Sequence, residues 1–362
     1  MKIGVPKELK DHETRVALTP QAVRKLLTKG QHEVHIQRGA GIKSGYPDVE
    51  YHQSGAKIVS SIREIYSRCE LIVKVKEPIP AEYPLLRPGL ILFCYLHLAT
   101  NRPLTIELKK KRVSAFAFET LLNRKGETPL LKPMSEIAGR LSVYLGSNYL
   151  RSDKGGKGIL LSPTSSVEPG EVVIVGGGHV GRSAAELAYQ LGARVNVFDL
   201  FPNKLSQWEK KYPQIKIWPS SPQLLRKKIK RADLLIGAIY IPGAKTKQVI
   251  KKNMIASMEK GSVFVDVAID QGGSSQTSLP TSISFPTYQR YGVTHCAIPN
   301  LPALVGRSAT RALSQSILPY VEKIASTSPR EWLSNLELKS ALNLHAGDIL
   351  HPQVSQFFSN RS

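Results

Sequence analysis

Four side chains that could handle an amino acid or a keto acid each follow an apolar, strand-like segment in the first third of the chain. They are Arg15, Lys76, His97 and Glu119. Arg and Lys suit a substrate carboxylate because they form charge-assisted hydrogen bonds with it, and His transfers protons near neutral pH. Ligands of parallel sheets bind beyond the carboxyl ends of the strands. These side chains therefore predict a substrate site at one sheet edge.

A glycine turn in the middle of the chain predicts a dinucleotide site. Residues 171–199 follow the order strand, glycine turn, helix, strand and acid. Gly176 allows a tight turn, Gly178 lets the backbone approach a pyrophosphate, and Gly181 lets helix and strand pack closely. Asp199 is spaced to bind the ribose hydroxyls and to repel a 2′-phosphate, which favours NAD over NADP. The alternative is a glycine-rich turn without a ligand.

A fifth candidate side chain lies beyond this turn. Asp270 follows the apolar segment 262–268 and precedes Gly272 and Gly273. A carboxylate beside nicotinamide can stabilise a cationic imine or ammonium intermediate. Together with the histidine and the two cations, Asp270 predicts an amino-acid or keto-acid dehydrogenase.

Each of these side chains could instead have a purely structural role, and the residue types alone do not distinguish the two. Arg15 and Lys76 could form surface ion pairs, because charged residues commonly follow strands. His97 lies between two leucines and could be a core histidine. Glu119 could orient a neighbour, and Asp270 could cap its loop.

The strands and helices that must position these side chains form two blocks, in which strand-like and helix-like segments alternate along the chain. The predicted strands are 2–5, 33–36, 71–75, 90–95 and 113–118, then 172–175, 195–198, 232–239, 262–268 and 294–298. This alternation predicts an α/β fold of two Rossmann-like domains with parallel sheets. We predict one long helix over 132–150 between the blocks and a helix over 308–325 that returns to the first block.

This return makes the nucleotide domain an insertion in the substrate domain. The predicted boundaries are 1–130 plus 305–362 for the substrate and catalytic domain, and 131–304 for the NAD-binding Rossmann domain. A chain of 362 residues with 41% hydrophobic content can supply two such cores.

Composition argues against several other classes of protein. No apolar run reaches the ~20 residues that span a membrane, and the first residues enter a strand without an apolar signal region. Both features predict a cytoplasmic protein. Cys69, Cys94 and Cys296 are far apart and lack metal-site spacing, so we predict reduced, buried thiols and no metal site.

The formal net charge of +22 is unusual for a metabolic enzyme. Basic residues cluster at 109–112, 226–231 and 251–252, which could attract nucleic acid or an anionic membrane. These clusters lie in segments patterned as amphipathic helices, with few aromatic residues to stack on bases. We therefore interpret them as solvated helix faces.

The motifs as a set resemble one family nearly from end to end. They are IGVPKE and ETRVALTP within 3–20, LIVKVKEP (71–78), LHLA (96–99), FET (118–120), LLKPMSEIAGR (130–140), the glycine turn, RADLLIGAIYIPGAK (231–245), VDVAIDQGG (265–273) and NLP (300–302). With these motifs in this order, the chain resembles the L-alanine dehydrogenases, which are related to the nucleotide-binding part of proton-translocating transhydrogenase.

The resemblance implies NAD-dependent oxidative deamination of L-alanine to pyruvate and ammonium, and the reverse reaction. Arg15 and Lys76 would hold the substrate carboxylate. His97 would be the acid/base at C2, and Asp270 would be the second catalytic residue. The resemblance also implies a homohexamer. The implied NAD-site residues are Ser135, Gly176, Gly178, His179, Val180, Gly181, Asp199, Lys204, Ser220, Ile239, Tyr240, Val267, Ala268, Ile269, Ile298, Pro299, Asn300 and Leu301.

The chain departs from the family pattern near the cofactor. Residues 274–277 are Ser-Ser-Gln-Thr where members usually have a Cys and an acid, and Leu279 replaces a basic residue. Residues 306–309 also differ from the usual Pro-Arg-Thr-Ser. These changes lie outside the Arg15, Lys76, His97 and Asp270 set, so they bear on affinity and rate more than on reaction type.

Three alternatives remain. An opine- or saccharopine-type reductive condensation would need a larger pocket, for which no signature is visible. A transhydrogenase-like binding module is disfavoured because His97 is retained in its LHLA context. A basic nucleic-acid-binding protein with a vestigial Rossmann domain would need salt-dependent DNA affinity.

Overall fold

The computed structural model describes residues 1–28, 30, 32–240 and 246–359. Within them the chain forms two compact units. The split unit comprises Met1–Met134 and Ala303–Ser362, and the inserted unit is Ser135–Pro302. Both units are α/β, and the second is inserted between the two segments of the first. The predicted fold class is confirmed.

The elements are numbered in chain order. The strands are β1 (Lys2–Val5), β2 (Glu33–Gln37), β3 (Lys57–Val59), β4 (Leu71–Val73), β5 (Ile91–Cys94), β6 (Ser114–Ala117), β7 (Glu171–Val175), β8 (Arg194–Asp199), β9 (Lys216–Pro219), β10 (Leu234–Gly237), β11 (Val263–Asp266), β12 (Thr287–Arg290), β13 (Val293–Cys296), β14 (Leu342–His345) and β15 (Asp348–Ile349). The helices are α1 (Pro20–Leu27), α2 (Asp48–Gln53), α3 (Ile62–Arg68), α4 (Arg102–Lys110), α5 (Lys132–Tyr149), α6 (His179–Gln190), α7 (Ser206–Lys211), α8 (Pro222–Ile229), α9 (Lys252–Ile255), α10 (Gly306–Ser326), α11 (Pro329–Ser334), α12 (Leu336–Ala341) and α13 (Pro352–Ser359).

The sheet of the split unit has the order β15-β14-β6-β5-β4-β1-β2-β3. Strands β1 to β6 are parallel, with Ile3 in register with both Val34 and Leu71. Every residue of β4, β5 and β6 is buried, because helices cover both faces of a parallel sheet. The order reverses between β1 and β4, which is where a doubly wound sheet opens a ligand crevice.

The sheet of the inserted unit repeats this plan. Its order is β12-β13-β11-β10-β7-β8-β9, in which only β12 is antiparallel to its neighbour. Val173 and Ile174 of the central β7 pair with β10 on one side and β8 on the other. The order reverses at β7, so the glycine turn after Val175 lies at the switch point of this sheet.

The predicted parallel sheets carry antiparallel strands at their edges. Strands β14 and β15 are antiparallel in the first sheet, and β12 is antiparallel in the second. These strands, together with β3 and β9, were absent from the sequence prediction. They have two to four residues each, and most carry exposed or partly exposed polar side chains. Edge strands of this kind lack the continuous apolar run that marks a central strand.

The C-terminal segment returns to the split unit through helix α10. Val16 N–H donates to Thr310 Oγ1 at 3.1 Å, and Thr19 N–H donates to Ser314 Oγ at 2.9 Å. Ser44 Oγ lies 2.8 Å from Thr310 Oγ1. These buried hydroxyls satisfy backbone donors in the N-terminal loop, so α10 holds the segment that directly follows Arg15.

Among the described residues, none of the helices has both the length and the apolar character needed to cross a bilayer. The same residues contain no cluster of three or more His, Cys, Asp and Glu side chains that could hold a metal ion.

Candidate functional site

The exits of four neighbouring strands meet at one edge of the split unit. Strands β1, β4, β5 and β6 lie side by side, and hydrogen bonds join the segments that follow β1, β4 and β5. Val75 N–H donates to Glu8 Oε1 at 2.6 Å, and Tyr95 N–H donates to Val75 O at 3.0 Å. Lys76 directly follows Val75, and His97 lies two residues after Tyr95. The structure therefore brings these two predicted side chains to the same edge.

His97 has a left-handed backbone conformation, and both its N–H and its carbonyl group are hydrogen-bonded. Its φ is +51°, in the left-handed region that residues other than glycine seldom adopt, although His is enriched there. Its N–H donates to Glu119 Oε1 at 2.6 Å, and its carbonyl accepts from the N–H groups of Thr100 and Asn101. The side chain is exposed, and its ring stacks near Tyr95 with 6.2 Å between centroids. The interpretation of His97 as a core histidine was wrong.

The carboxylate of Glu119 accepts hydrogen bonds from the backbone N–H groups of Leu96 and His97. One oxygen accepts from His97 N–H, and both lie 3.2–3.3 Å from Leu96 N. A carboxylate that accepts several N–H groups is a strong anchor. Glu119 thus orients its neighbour, which was the structural interpretation of this residue.

We expect Glu119→Ala to lower kcat about 10- to 100-fold, because a displaced catalytic group loses its attack geometry. The dissociation constant of NADH should not change. Glu119→Gln should recover part of the rate, since its amide oxygen can still accept from His97 N–H. Steady-state kinetics and an NADH titration measure both quantities. Glu127→Ala, an exposed acid that bonds to Asn123, is the control. A wild-type kcat in Glu119→Ala would contradict the role.

Arg15 is buried with a partner that the sequence analysis missed. Its Nε and Nη2 donate to Glu13 at 2.7 and 2.6 Å, and Nη1 lies 3.2 Å from Met134 Sδ. Arg15 is 3% exposed, so the interpretation of a surface ion pair was wrong about its location. Glu13 precedes Arg15 by two residues, and this acid–base spacing was the available signal. Lys76 is partly buried at the exit of β4.

A second buried ion pair lies next to this network. Lys74 Nζ contacts Glu82 Oε1, and both side chains are 1% exposed. Tyr66 Oη donates to the same oxygen at 2.9 Å. This cluster was not predicted from the sequence, although a lysine inside the apolar run LIVKV was a signal that one charge is buried. Glu8, in the loop after β1, interacts electrostatically with Lys74 and Glu82.

Asp270 lies in a 3₁₀ turn, Val267–Gln271, that follows β11. Asp266, at the end of β11, caps this turn by accepting from Ala268 N–H at 3.1 Å. The proposal that Asp270 caps the loop was therefore wrong, and this cap also ends the predicted strand 262–268 early. Asp270 is exposed, and its Oδ2 accepts from Asn300 N–H at 3.3 Å. That bond joins two of the predicted NAD-site segments.

Two serines support this turn, and Ser274 is one of the residues that depart from the family pattern. Asp266 accepts from Ser274 N–H at 2.8 Å and from Ser274 Oγ at 2.9 Å, and Ser278 Oγ donates to its second oxygen. Burial raises the pKa of the Asp266 carboxyl, against the effect of these donors. The substituted loop is therefore anchored through hydroxyl groups.

The glycine turn has the geometry that a pyrophosphate requires. Gly176 has φ +110°, and a Cβ on Gly181 would lie 1.8 Å from Gly176 O. A Cβ on Gly178 would meet no protein atom within 4 Å. Gly178 precedes α6 without a side-chain cap, and the N-terminus of a helix favours an anion through its dipole and N–H groups.

Asp199 lies against this turn. Its Oδ2 accepts from Gly177 N–H at 2.7 Å, and its Oδ1 accepts from Phe201 N–H at 2.8 Å. Lys204 lies over the Phe201 ring at 4.7 Å. A groove in the same unit is lined by Leu200, Ser220, Pro222, Leu225, Thr246, Lys247, Gln248, Val249, Lys251, Met254, Gln271, Gly272 and Gln276. The groove connects the surroundings of Asp199 with those of Asp270.

The other predicted NAD-site residues lie at strand ends or helix starts of the inserted unit, apart from Ser135 in α5. Ile239 and Tyr240 follow β10, Val267, Ala268 and Ile269 follow β11, Ile298, Pro299, Asn300 and Leu301 follow β13, and His179, Val180 and Gly181 begin α6. Residues 241–245 of the motif 231–245 lie outside the described residues.

Comparison with known proteins decides the family. The model "Alanine dehydrogenase/PNT, N-terminal domain" matches residues 4–138, and "Alanine dehydrogenase/PNT, C-terminal domain" matches residues 142–352. The chain belongs to the alanine dehydrogenase/PNT family. The alanine dehydrogenase of Methanococcus maripaludis is 43% identical over 98% of this chain and 96% of its own length. That of Bacillus subtilis is 43% identical over 98% and 94%.

Solved structures agree with this assignment. A structure described as L-alanine dehydrogenase matches with a TM-score of 0.95 and 44% identity, covering 100% of both chains. A transhydrogenase from Sinorhizobium meliloti matches with a TM-score of 0.84 and 23% identity over 97% of this chain and 99% of its own, which shows the shared fold. The family predicted from the sequence motifs is confirmed, and the predicted class of oxidoreductase agrees with these relatives.

Proposed function

We propose that this member of the alanine dehydrogenase/PNT family catalyses the NAD-dependent oxidative deamination of L-alanine to pyruvate and ammonium, and the reverse reaction. One observation carries the proposal: alanine dehydrogenases align with it over nearly its whole length at 40–43% identity. The strand exits that hold Lys76 and His97 support it, because they collect a cation and an acid/base at one edge.

The inserted unit fits NAD at the glycine turn. The space beside Gly178 would admit the pyrophosphate, and the N–H groups at the start of α6 would bind it. Asp199, already held against Gly177, is suited to the ribose hydroxyls. When bound, NAD accepts the hydride from Cα of alanine.

The protein's own residues divide the remaining work. Arg15 and Lys76 bind the substrate carboxylate. His97 exchanges protons at the nitrogen and oxygen on C2 as water adds to the imine, and Asp270 stabilises the cationic intermediate. We assign the substrate and catalytic role to residues 1–130 with 305–362, and the NAD-binding role to residues 131–304.

Production of NADH by the purified protein tests this function. L-alanine, L-serine, glycine and L-lysine are supplied separately with NAD, and NADH is followed by its absorbance. Selective turnover of L-alanine is expected, together with NADH oxidation when pyruvate and ammonium are supplied. No turnover in either direction would reject the proposal and favour a condensation reaction or a binding module.

We also propose that the protein is a cytoplasmic homohexamer that takes small molecules and no nucleic acid. Family membership supports the hexamer. Light scattering coupled to size-exclusion chromatography tests it, and a monomeric mass would reject it.

A further inference from the structure

The split unit buries two matched ion pairs and one additional carboxyl group. Arg15 pairs with Glu13, and Lys74 pairs with Glu82. All four side chains are nearly inaccessible to water. Glu8 is the fifth ionisable member, and it is 7% exposed. The five groups are neutral in sum only when Glu8 carries a proton.

The geometry of Glu8 leaves one oxygen without a partner. Its Oε1 accepts from Val75 N–H at 2.6 Å. Its Oε2 is buried and has no hydrogen-bond partner among the described residues. A buried ionised carboxylate with an unpartnered oxygen is costly, whereas the protonated form places its hydroxyl there at lower cost.

The charged groups that act on Glu8 oppose one another. Lys74 attracts the ionised form, but Glu13 and Glu82 oppose it. Glu8 also acts on Tyr66 and Cys94, which are neutral because burial raises the pKa of each well above its usual value.

Arg15 is the remaining charge of this cluster, and its own partner is Glu13. Burial is the largest influence on Glu8 and raises the pKa of its carboxyl to about 7. Glu8 therefore changes its charge across neutral pH.

This charge change matters for the substrate, and the following step rests on the proposed function. Glu8 belongs to the same buried cluster as Arg15, and through Val75 it holds the backbone immediately before Lys76. An ionised Glu8 and a bound substrate carboxylate would be two anions in a poorly screened environment, where like charges repel.

We propose that Glu8 is a positioning residue that must hold a proton for the substrate carboxylate to bind. Its Oε1 fixes the β4 exit that carries Lys76, and its Oε2 takes up one proton from solvent as the anionic substrate binds. Binding of pyruvate and proton uptake are therefore linked, and affinity falls as pH rises through neutrality.

The test measures binding of oxamate, an unreactive pyruvate analogue, to the full chain with saturating NADH between pH 6 and pH 8.5. In the wild type, the dissociation constant should rise about fivefold between pH 7 and pH 8. In Glu8→Gln, which keeps an acceptor for Val75 N–H and stays neutral, this rise should shrink to the share that His97 contributes. Glu70→Gln, an exposed acid of the same unit, should follow the wild type. An equal rise in Glu8→Gln would overturn the proposal.

A second measurement needs no substitution at Glu8. Calorimetry of oxamate binding in buffers of different ionisation enthalpy gives the number of protons taken up, and His97→Ala removes the histidine's share. We expect uptake of about half a proton at pH 7 in His97→Ala, and no uptake would overturn the proposal. If the wild type neither turns over alanine nor binds oxamate at any pH, the proposed function itself fails. Turnover with an unchanged pH dependence in Glu8→Gln rejects only the role of Glu8.

Discussion

Replacing His97 with alanine is expected to lower kcat by about 10²- to 10⁴-fold, the contribution of a general acid/base, while NADH binds with unchanged affinity. The two effects separate because His97 and the residues assigned to NAD lie in different units. His97 is an exposed imidazole at a strand exit, and the side chains that we assign to NAD belong to the inserted unit. Stopped-flow and steady-state assays with L-alanine measure kcat, and a fluorescence titration measures NADH binding.

A second variant separates the imidazole from the backbone strain at the same position. Asn tolerates the left-handed region better than most residues, so His97→Asn preserves φ near +51° without a proton-transferring ring. We expect His97→Asn to be as slow as His97→Ala. The exposed His52→Ala should retain wild-type rates. Near-normal turnover in either His97 variant would remove the ring from the mechanism.

Alanine at two glycines of the same turn should change different properties: NADH affinity at Gly178 and folding stability at Gly181. In Gly178→Ala the new methyl group meets no protein atom, and φ is −71°, so the fold is kept. The methyl would occupy the space for the pyrophosphate, and we expect the NADH dissociation constant to rise about 10- to 100-fold.

Gly181→Ala should instead destabilise the inserted unit. Its Cβ would lie 1.8 Å from the carbonyl oxygen of Gly176, which is backbone and cannot move aside. The free energy of unfolding should fall by at least about 3 kcal/mol, the upper end of ordinary overpacking. Calorimetry and an NADH titration are performed on both variants. Wild-type NADH affinity in folded Gly178→Ala would show that the pyrophosphate does not lie at this turn.

Local patterns predicted the central elements well. Helix α5 was expected over 132–150 and spans Lys132–Tyr149, and α10 was expected over 308–325 and spans Gly306–Ser326. The turn between β7 and α6 was also predictable, because Gly176 and Gly181 interact within a few residues of each other. Short edge strands such as β9 and β12 were not, since their pairing partners rather than their own residues define them.

The candidate site also has a part that was predictable from local sequence and a part that was not. Residue types after strands identified Lys76 and His97, and the sheet order places both at one edge. Their supporting partners were not predictable. Glu119 is 22 residues from the backbone N–H of His97 that it holds, and Glu8 is 67 residues from Val75. Nothing in the local pattern of an acid indicates which distant donor it will meet.

By itself, the sequence determined the α/β class, the dinucleotide turn and the family, because each depends on periodicity or on motifs read within short segments. Only the tertiary structure decided which charges are buried. Lys74 and Lys76 are two residues apart, yet Lys74 is 1% exposed against Glu82 and Lys76 is partly exposed at the strand exit. Burial and pairing depend on what other segments place against a side chain, so the unmatched carboxyl of Glu8 became visible only in the folded chain.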